Sequence, residues 1–215
     1  MKPNRKRDLE MQAKLFHTMR PQRMPPPPII LPRSNDPKLI VLSELEKLWA
    51  QDIAMNLRHR DQVNKWIDGS EDDAQLVGAL GEIAVAKYFD LAFPRDYRER
   101  YGQRADFGDQ LGVRTTRRLM FPRLRVKKGD DGCCVYVLCV IFPRSAIPHE
   151  GVRLHAWAWG EHVKLSTPLE DPGDHHQPAH FAGMTSPFVQ LDVDTIPKHI
   201  LERCERGYKP WWGER

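Results

Sequence analysis

Three residues in the middle of the chain have types and an order that suit chemistry beside a phosphate group. Glu82 lies in a segment with helical apolar periodicity, Asp106 ends a short β-like segment, and Arg114 lies in the next one. Carboxylate oxygens are ligands that Mg²⁺ prefers, and arginine donates paired hydrogen bonds to phosphate oxygens. Taken singly, each residue also has an ordinary structural explanation: a helix salt bridge, a turn cap or a buried ion pair.

Six basic residues follow Arg114 closely: Arg117, Arg118, Arg123, Arg125, Lys127 and Lys128. Residues 95–128 carry eleven Lys and Arg against four acids, and residues 1–38 carry nine against three, although the whole chain has a net charge of only +4. Clustered cations bind a polyanion by releasing counterions from its phosphates. We therefore predict that the six residues bind nucleic acid, with DNA as the first candidate. The alternative is a strand edge protected by charge.

Short motifs around these residues resemble the PD-(D/E)XK nuclease superfamily, in particular small proteins of phage and prophage genomes. They are Gly78-Ala-Leu-Gly81-Glu82, Asp106-Phe107-Gly108, Gly112-Val113-Arg114-Thr115, the Asp130-Asp131 turn between two apolar segments, and the stretch 157–164. The resemblance spans about residues 43–195. It implies a restriction-endonuclease-like fold in which Glu82 and Asp106 bind Mg²⁺ and Arg114 contacts the scissile phosphate.

The sequence departs from that family at two positions. Gly112 stands where the family has an acid, and Arg114 stands where it has a lysine. A missing carboxylate weakens metal binding, and arginine, which stays protonated, is a poor proton shuttle. Asp109 is an alternative carboxylate, although its place in a predicted turn favours a turn role. Two outcomes stay open: Mg²⁺-dependent cleavage with Glu82, Asp106 and Arg114 as catalytic residues, and binding without cleavage.

The elements that must position these residues follow from apolar periodicity and turn signals. Ser43 and Glu46 form a capping-box pattern at the start of a first helix, which fades near residues 66–69. Acidic residues 71–73 precede a second predicted helix over residues 75–88. Strands are predicted over residues 105–107, 111–116, 123–126, 135–142, 152–159 and 188–193. Two helices followed by strands predict an α+β fold, with helices packed against a small mixed sheet.

The predicted α+β domain covers residues 39–200, between a basic, Pro-rich arm (1–38) and a C-terminal tail (201–215). The run Pro25–Pro28 cannot continue a helix, so we expect the arm to be disordered on its own. The longest apolar runs are far shorter than the ~20 residues of a membrane helix, and no secretory signal follows the basic N-terminus. We expect no membrane partner and a location in the host cell cytoplasm or a phage particle.

Three further groups of residues are weaker candidates for a site. The cysteines, at 133, 134, 139 and 204, lack zinc-finger spacing and predict reduced thiols. Asp174, His175, His176 and His180 lie in a predicted polar loop and are potential zinc ligands, but adjacent loop histidines rarely point at one ion. Tyr208, Trp211 and Trp212 could stack on bases, although docking on the core is the commoner use.

The same sequence also fits a function of another class. The chain could be a non-enzymatic structural or adaptor protein of a phage or nucleoprotein assembly, with the N-terminal arm bound to a neighbouring subunit or to nucleic acid. The two functions differ in what they require of the fold. Only the nuclease-like function requires Glu82, Asp106 and Arg114 to meet in one place.

Overall fold

A computed structural model describes residues 36–61, 71–93, 105–142, 151–170 and 177–209. All of them belong to one compact unit that spans residues 31–215. The predicted N-terminal arm lies outside the described residues except for its last three positions. No helix within the described ranges has the length and apolar character needed to cross a membrane.

The described residues form a mixed α+β structure, which confirms the predicted class. In chain order the elements are β1 (Leu39–Ile40), α1 (Glu44–Asp61), α2 (Glu71–Phe89), β2 (Leu111–Thr116), β3 (Arg123–Lys127), β4 (Val135–Phe142), β5 (Gly151–Trp159), α3 (Gly160–Ser166), β6 (Leu169–Glu170), β7 (Ala179–Gly183), a 3₁₀-helix (Val193–Thr195) and α4 (Lys198–Glu202). Helices and strands therefore interleave more than the predicted order of helices first and strands second.

The strands form two sheets. The larger sheet is mixed and has the order β1-β5-β4-β2, in which β2 runs parallel to β4 and β5 runs antiparallel to it. The smaller sheet is antiparallel, with the order β3-β7-β6. Among the described strands, β2 therefore lies at an edge of the larger sheet and pairs only with β4.

Strand β4 is the centre of the core. Its eight residues are all apolar or aromatic and all buried, as expected for a strand covered on both faces. Val137 and Cys139 face a core cluster shared with α1 and α2. Tyr136 and Leu138 face a second cluster shared with β3, β7 and α3. Burial of β4 therefore requires a layer on each side of the larger sheet.

Helix α2 lies unusually close to β2 because of Gly81. A Cβ atom at this position would lie 1.8 Å from Oγ1 of Thr115, which excludes any side chain there. The helix begins at Glu71 and so includes the acidic residues that were predicted to precede it. Acidic residues are favoured in a first helical turn, which explains the earlier start. The close contact fixes Glu82 next to the edge strand.

Two predicted strands are wrong. Residues 105–107 form a tight loop, in which the backbone N–H groups of Asp106 and Phe107 both donate to the carbonyl oxygen of Leu111. Residues 188–193 make a single bridge, between Gln190 and Trp157, and then enter the 3₁₀-helix. In both segments the polar turn residues override the β-like apolar pattern.

The polar loop predicted as a competing metal site includes a strand. His180 lies on β7, where its Nδ1 atom is 2.9 Å from the carbonyl oxygen of Thr167. Residues 174–176 lie outside the described residues. Ala179–Gly183 pairs with β3 on one side and with β6 on the other, and this pairing makes the segment a strand.

Glu46 is a buried carboxylate that connects three parts of the chain. The predicted capping box is confirmed, since the Ser43 N–H donates to Glu46 Oε2 at 2.6 Å and the Glu46 N–H donates to Ser43 Oγ at 3.2 Å. Lys87 Nζ on α2 also donates to Oε2 at 3.0 Å, and the Tyr208 hydroxyl donates to Oε1 at 2.7 Å. Tyr208 therefore docks on the core, while Trp211 and Trp212 lie outside the described residues.

The pKa of Glu46 reflects these partners. Burial raises the pKa, but the hydrogen bonds from Ser43, Tyr208 and Lys87 outweigh burial and lower it below its ordinary value of 4.5. A carboxyl group with a lowered folded-state pKa stabilises the fold above its unfolded-state pKa. That contribution is lost as the pH falls through the folded-state value.

We expect Glu46→Gln to lower the free energy of unfolding by about 2–3 kcal/mol near pH 7, because a neutral amide is a poor partner for three donors. The difference from wild type should shrink as the pH falls below about 4.5, where Glu46 is protonated first in the unfolded chain, and should be smallest below the lower folded-state pKa. Urea unfolding at several pH values measures both effects. The control is Glu44→Gln, an exposed acid on the same helix, which should cost less than about 0.5 kcal/mol. Equal effects of the two variants would contradict this role of Glu46.

Candidate functional site

A groove with a volume of about 650 Å³ lies along the free edge of β2, between α2 and β3. Almost all of the residues predicted from the sequence to form a site line this one groove: Glu82, Asp106, Arg114, Arg117, Arg118, Arg123, Arg125 and Lys127. Lys128 is exposed and is not part of the lining. The fold therefore brings together residues that are up to 45 positions apart in sequence.

Glu82 and Arg114 reach the groove from opposite faces of β2. Residues of a strand alternate between faces, and Val113 packs in the cluster under α1 and α2 whereas Arg114 lies over the Tyr136 ring. Glu82 is 7% exposed and lies on the α2 side. Burial raises the pKa of the Cys139 thiol and the negative charge of Glu82 raises it further, so the two groups are close.

Asp106 is held at the edge of β2 itself. Its Oδ2 atom accepts a hydrogen bond of 2.6 Å from the N–H of Val113 and lies 3.8 Å from Nη1 of Arg114. An outward N–H group on an edge strand has no neighbouring strand to pair with. Asp106 therefore satisfies the free backbone of β2 and also helps to hold Arg114.

Asp130 contacts two groove residues, Arg114 and Lys127, but was not predicted from the sequence as a site residue. Its Oδ2 atom accepts from Nη2 of Arg114 at 2.5 Å and from the N–H of Lys127 at 2.8 Å. Burial opposes the charge of Arg114, but the carboxylates of Asp130 and Asp106 outweigh it and raise the pKa of Arg114. The Asp-rich turn of the resemblance was the signal that could have identified Asp130.

Tyr136 explains why position 112 is a glycine. A Cβ atom on Gly112 would lie 2.6 Å from Cε1 of the Tyr136 ring, and one on Gly160 would lie 2.7 Å from Cε2. The ring therefore occupies a slot between two glycines, with the guanidinium of Arg114 4.7 Å from the ring centroid. A side chain at position 112 would therefore overlap this ring.

Strand β3 supplies the basic wall of the groove. Arg123, Arg125 and Lys127 are alternate residues and share the exposed face, while Leu124 and Val126 are fully buried. Arg123 forms two hydrogen bonds to the carboxylate of Glu170 and lies over the ring of Phe181. Within the described residues, Arg125 and Lys127 have no such acid partner.

Arg125 and Lys127 both have lowered pKa values. Burial is the largest cause in each case, and the positive charge of Arg114 lowers both pKa values further. Asp130 only partly offsets these effects. The three cations are therefore close enough to repel one another, which favours the approach of an anion.

The residues predicted to bind Mg²⁺ do not make a suitable set of ligands. Glu82 comes from the α2 side of β2, the carboxylate of Asp106 is engaged by the Val113 N–H, and the third acid is replaced by Gly112. Across the parts of the chain that the structure describes, no group of three or more His, Cys, Asp or Glu side chains is placed to hold a metal ion. The alternative ligand, Asp109, is absent from the groove lining and lies 3.6 Å from Arg203.

We expect Gly112→Ala to destabilise the protein by about 1–3 kcal/mol, because the added methyl group overlaps the Tyr136 ring. In a Tyr136→Leu background the same change should cost clearly less, since the ring atoms that it meets are gone. Urea unfolding of the four proteins gives the coupling energy. Gly78→Ala is the control, because a Cβ there meets nothing within 4 Å and should stabilise α2 by up to about 1 kcal/mol. Additive effects at positions 112 and 136 would show that the ring does not exclude a side chain.

No family model, curated protein or solved structure matches the chain. The relationship to the PD-(D/E)XK superfamily is therefore still a resemblance of motifs. The function of the groove has to be inferred from its own residues.

Proposed function

We propose that the protein binds nucleic acid, with DNA as the first candidate, through backbone phosphates along the groove at the edge of β2. The observation that carries this proposal is the convergence of basic side chains from β2, β3 and the segment between them on one groove. Phosphate contacts are made by the side chains of Arg and Lys and do not depend on base sequence. The supporting residues are Arg114, Arg117, Arg118, Arg123, Arg125 and Lys127.

The balance of charge in the groove supports phosphate binding. Arg114 is held by Asp106 and Asp130, so this cation has a fixed position. Arg117 and Arg118 are exposed beyond the end of β2, at the mouth of the groove. A row of cations that is fixed at its inner end and exposed at its outer end is suited to bind a nucleic-acid strand that enters from solvent.

The proposal includes a restriction-endonuclease-like core without ordinary metal-dependent cleavage. Three residues around one strand edge support the resemblance to a restriction-endonuclease-like core: the helix acid Glu82, the acid Asp106 and the basic residue Arg114. We propose no metal-dependent cleavage, because the Tyr136 ring leaves no room for a carboxylate side chain at position 112 and because Arg114 replaces the lysine of the motif. The proposed setting is the cytoplasm of a host cell or a phage particle, where nucleic acid is accessible.

Binding to DNA should weaken steeply with salt, with log K falling by about 0.9 per phosphate contact against log salt for duplex DNA. We expect Arg117→Glu and Arg118→Glu each to reduce that slope by about one contact. Fluorescence anisotropy with a labelled oligonucleotide at several salt concentrations measures the slope. The matched control is Lys128→Glu, which makes the same change of charge next to the groove but outside its lining. A slope that Lys128→Glu changes as much as Arg118→Glu would argue for a diffuse charged surface.

Removing an acid from the groove should have the opposite effect on DNA binding from removing a cation. Replacement of Glu82 by Gln removes a negative charge beside the proposed phosphate path, so binding should stay the same or become tighter. Incubation with supercoiled plasmid and Mg²⁺ or Mn²⁺ should give no nicking. Nicking that Glu82→Gln abolishes would instead identify the protein as a metal-dependent nuclease. Absence of DNA and RNA binding even at low salt would overturn the proposal and favour the adaptor function.

A further inference from the structure

Two arginine nitrogens in the groove have no hydrogen-bond partner. Among the described residues, the buried side-chain nitrogen and oxygen atoms without a partner are Nε of Arg114, Nε of Arg125 and Oγ1 of Thr115. All three residues line the groove. An unsatisfied buried donor costs about 1–3 kcal/mol, so the fold leaves polar atoms without partners beneath this part of the groove surface.

The side chains of Arg125 and Lys127, in the same part of the groove, have no ion pair to a described residue. Arg125 donates from Nη2 to the carbonyl oxygen of Gln177, which is neutral, and the ammonium group of Lys127 has no hydrogen bond or ion pair to any described residue. Arg114 is different, because Asp106 and Asp130 already hold it. The inner part of the groove therefore has two cations without an ion pair to a described residue, and nearby carboxylates offset their charges only in part.

The positions of these groups favour one compact anion over an extended one. Arg125 and Lys127 are two residues apart on β3 and face the same way, towards Arg114. A phosphate monoester has a charge of about −1.5 to −2 near pH 7 and three free acceptor oxygens. A backbone phosphodiester has one charge and two free oxygens. The monoester suits Arg125 and Lys127 better than a phosphodiester, because it carries more charge and one more acceptor oxygen for two cations without ion pairs.

We propose that Arg125 and Lys127, with Arg114 behind them, form a subsite that binds a phosphate group with three free oxygens. Such a phosphate can belong to the end of a nucleic-acid strand or can be free inorganic phosphate. The strand-end form rests on the function proposed above, whereas the free-phosphate form does not. The subsite deepens that function because it would place a strand end, rather than the middle of a strand, in the inner groove.

The test compares three otherwise identical, labelled single-stranded oligonucleotides, with a phosphate at the 5′ end, at the 3′ end or at neither end. We expect wild type to bind one phosphorylated form about ten to a hundred times more tightly than the unphosphorylated form. Lys127→Gln and Arg125→Gln should each remove most of this preference. Lys127→Gln should fold normally, since the change removes a cation that its neighbours repel.

Arg118→Gln is the control, because this exposed arginine lies in the groove but outside the subsite. It should weaken binding of all three oligonucleotides by the same factor and leave the preference unchanged. In a second arm, calorimetric titration with inorganic phosphate should give one site per chain that Lys127→Gln abolishes. This arm uses no nucleic acid and so separates the subsite from the proposed function.

The outcomes separate the two proposals. An end preference that depends on Lys127 supports a subsite for strand ends, and phosphate binding without an end preference supports a subsite for free phosphate. Phosphate binding without any oligonucleotide binding supports the subsite and overturns the proposed function. Equal binding of all three oligonucleotides together with no phosphate binding overturns the subsite, as does an end preference that survives both substitutions.

Discussion

Strand β4 has to be buried on both faces, and the rest of the structure depends on that constraint. Its eight residues are apolar or aromatic without alternation, so neither face can lie in water. Helices α1 and α2 cover one face, while β3, β7 and α3 cover the other. On one side β4 pairs with β5, and on the other it pairs with β2, which becomes the edge strand. The groove exists because the two covering layers extend past this edge.

Two carboxylates, those of Asp106 and Asp130, hold the edge of β2, the side chain of Arg114 and the end of β3. Asp106 accepts from the Val113 backbone and lies close to Arg114, and Asp130 accepts from Arg114 and from the Lys127 backbone. These carboxylates neutralise the inner arginine and leave the alternate cations of β3 without acid partners. The same hydrogen bonds that hold the edge strand therefore make the groove suitable for an anion.

The ring of Tyr136 marks a position at which this chain differs from the PD-(D/E)XK motifs that it resembles. The order of helix acid, second acid and strand base is that of a PD-(D/E)XK protein, and the fold brings these residues to one groove. However, position 112 is a glycine, and the ring of Tyr136 lies between Gly112 and Gly160. The groove of this chain is lined by basic side chains and has no carboxylate at position 112.

The sequence by itself determined the elements whose signals are local. The capping box of Ser43 and Glu46, the helical stripe around Ile83 and the apolar run of β4 all predicted their structures correctly, because each depends on residues a few positions apart. It also identified the groove residues, since charge and residue type are properties of the sequence. The predicted strands at 105–107 and 188–193 failed because hydrogen bonds within polar turns outweighed a weak apolar pattern.

Only the tertiary structure decided what the groove residues contact. The partners of Glu46 at Lys87 and Tyr208, of Arg114 at Asp130 and of Gly112 at Tyr136 are 16 to 162 positions away along the chain. No local pattern records such pairs, because they form when β4 is buried and separate layers meet around it. The placement of Glu82 and Arg114 on opposite faces of β2 was also decided by tertiary packing. The sequence identified these two residues but not their relative positions.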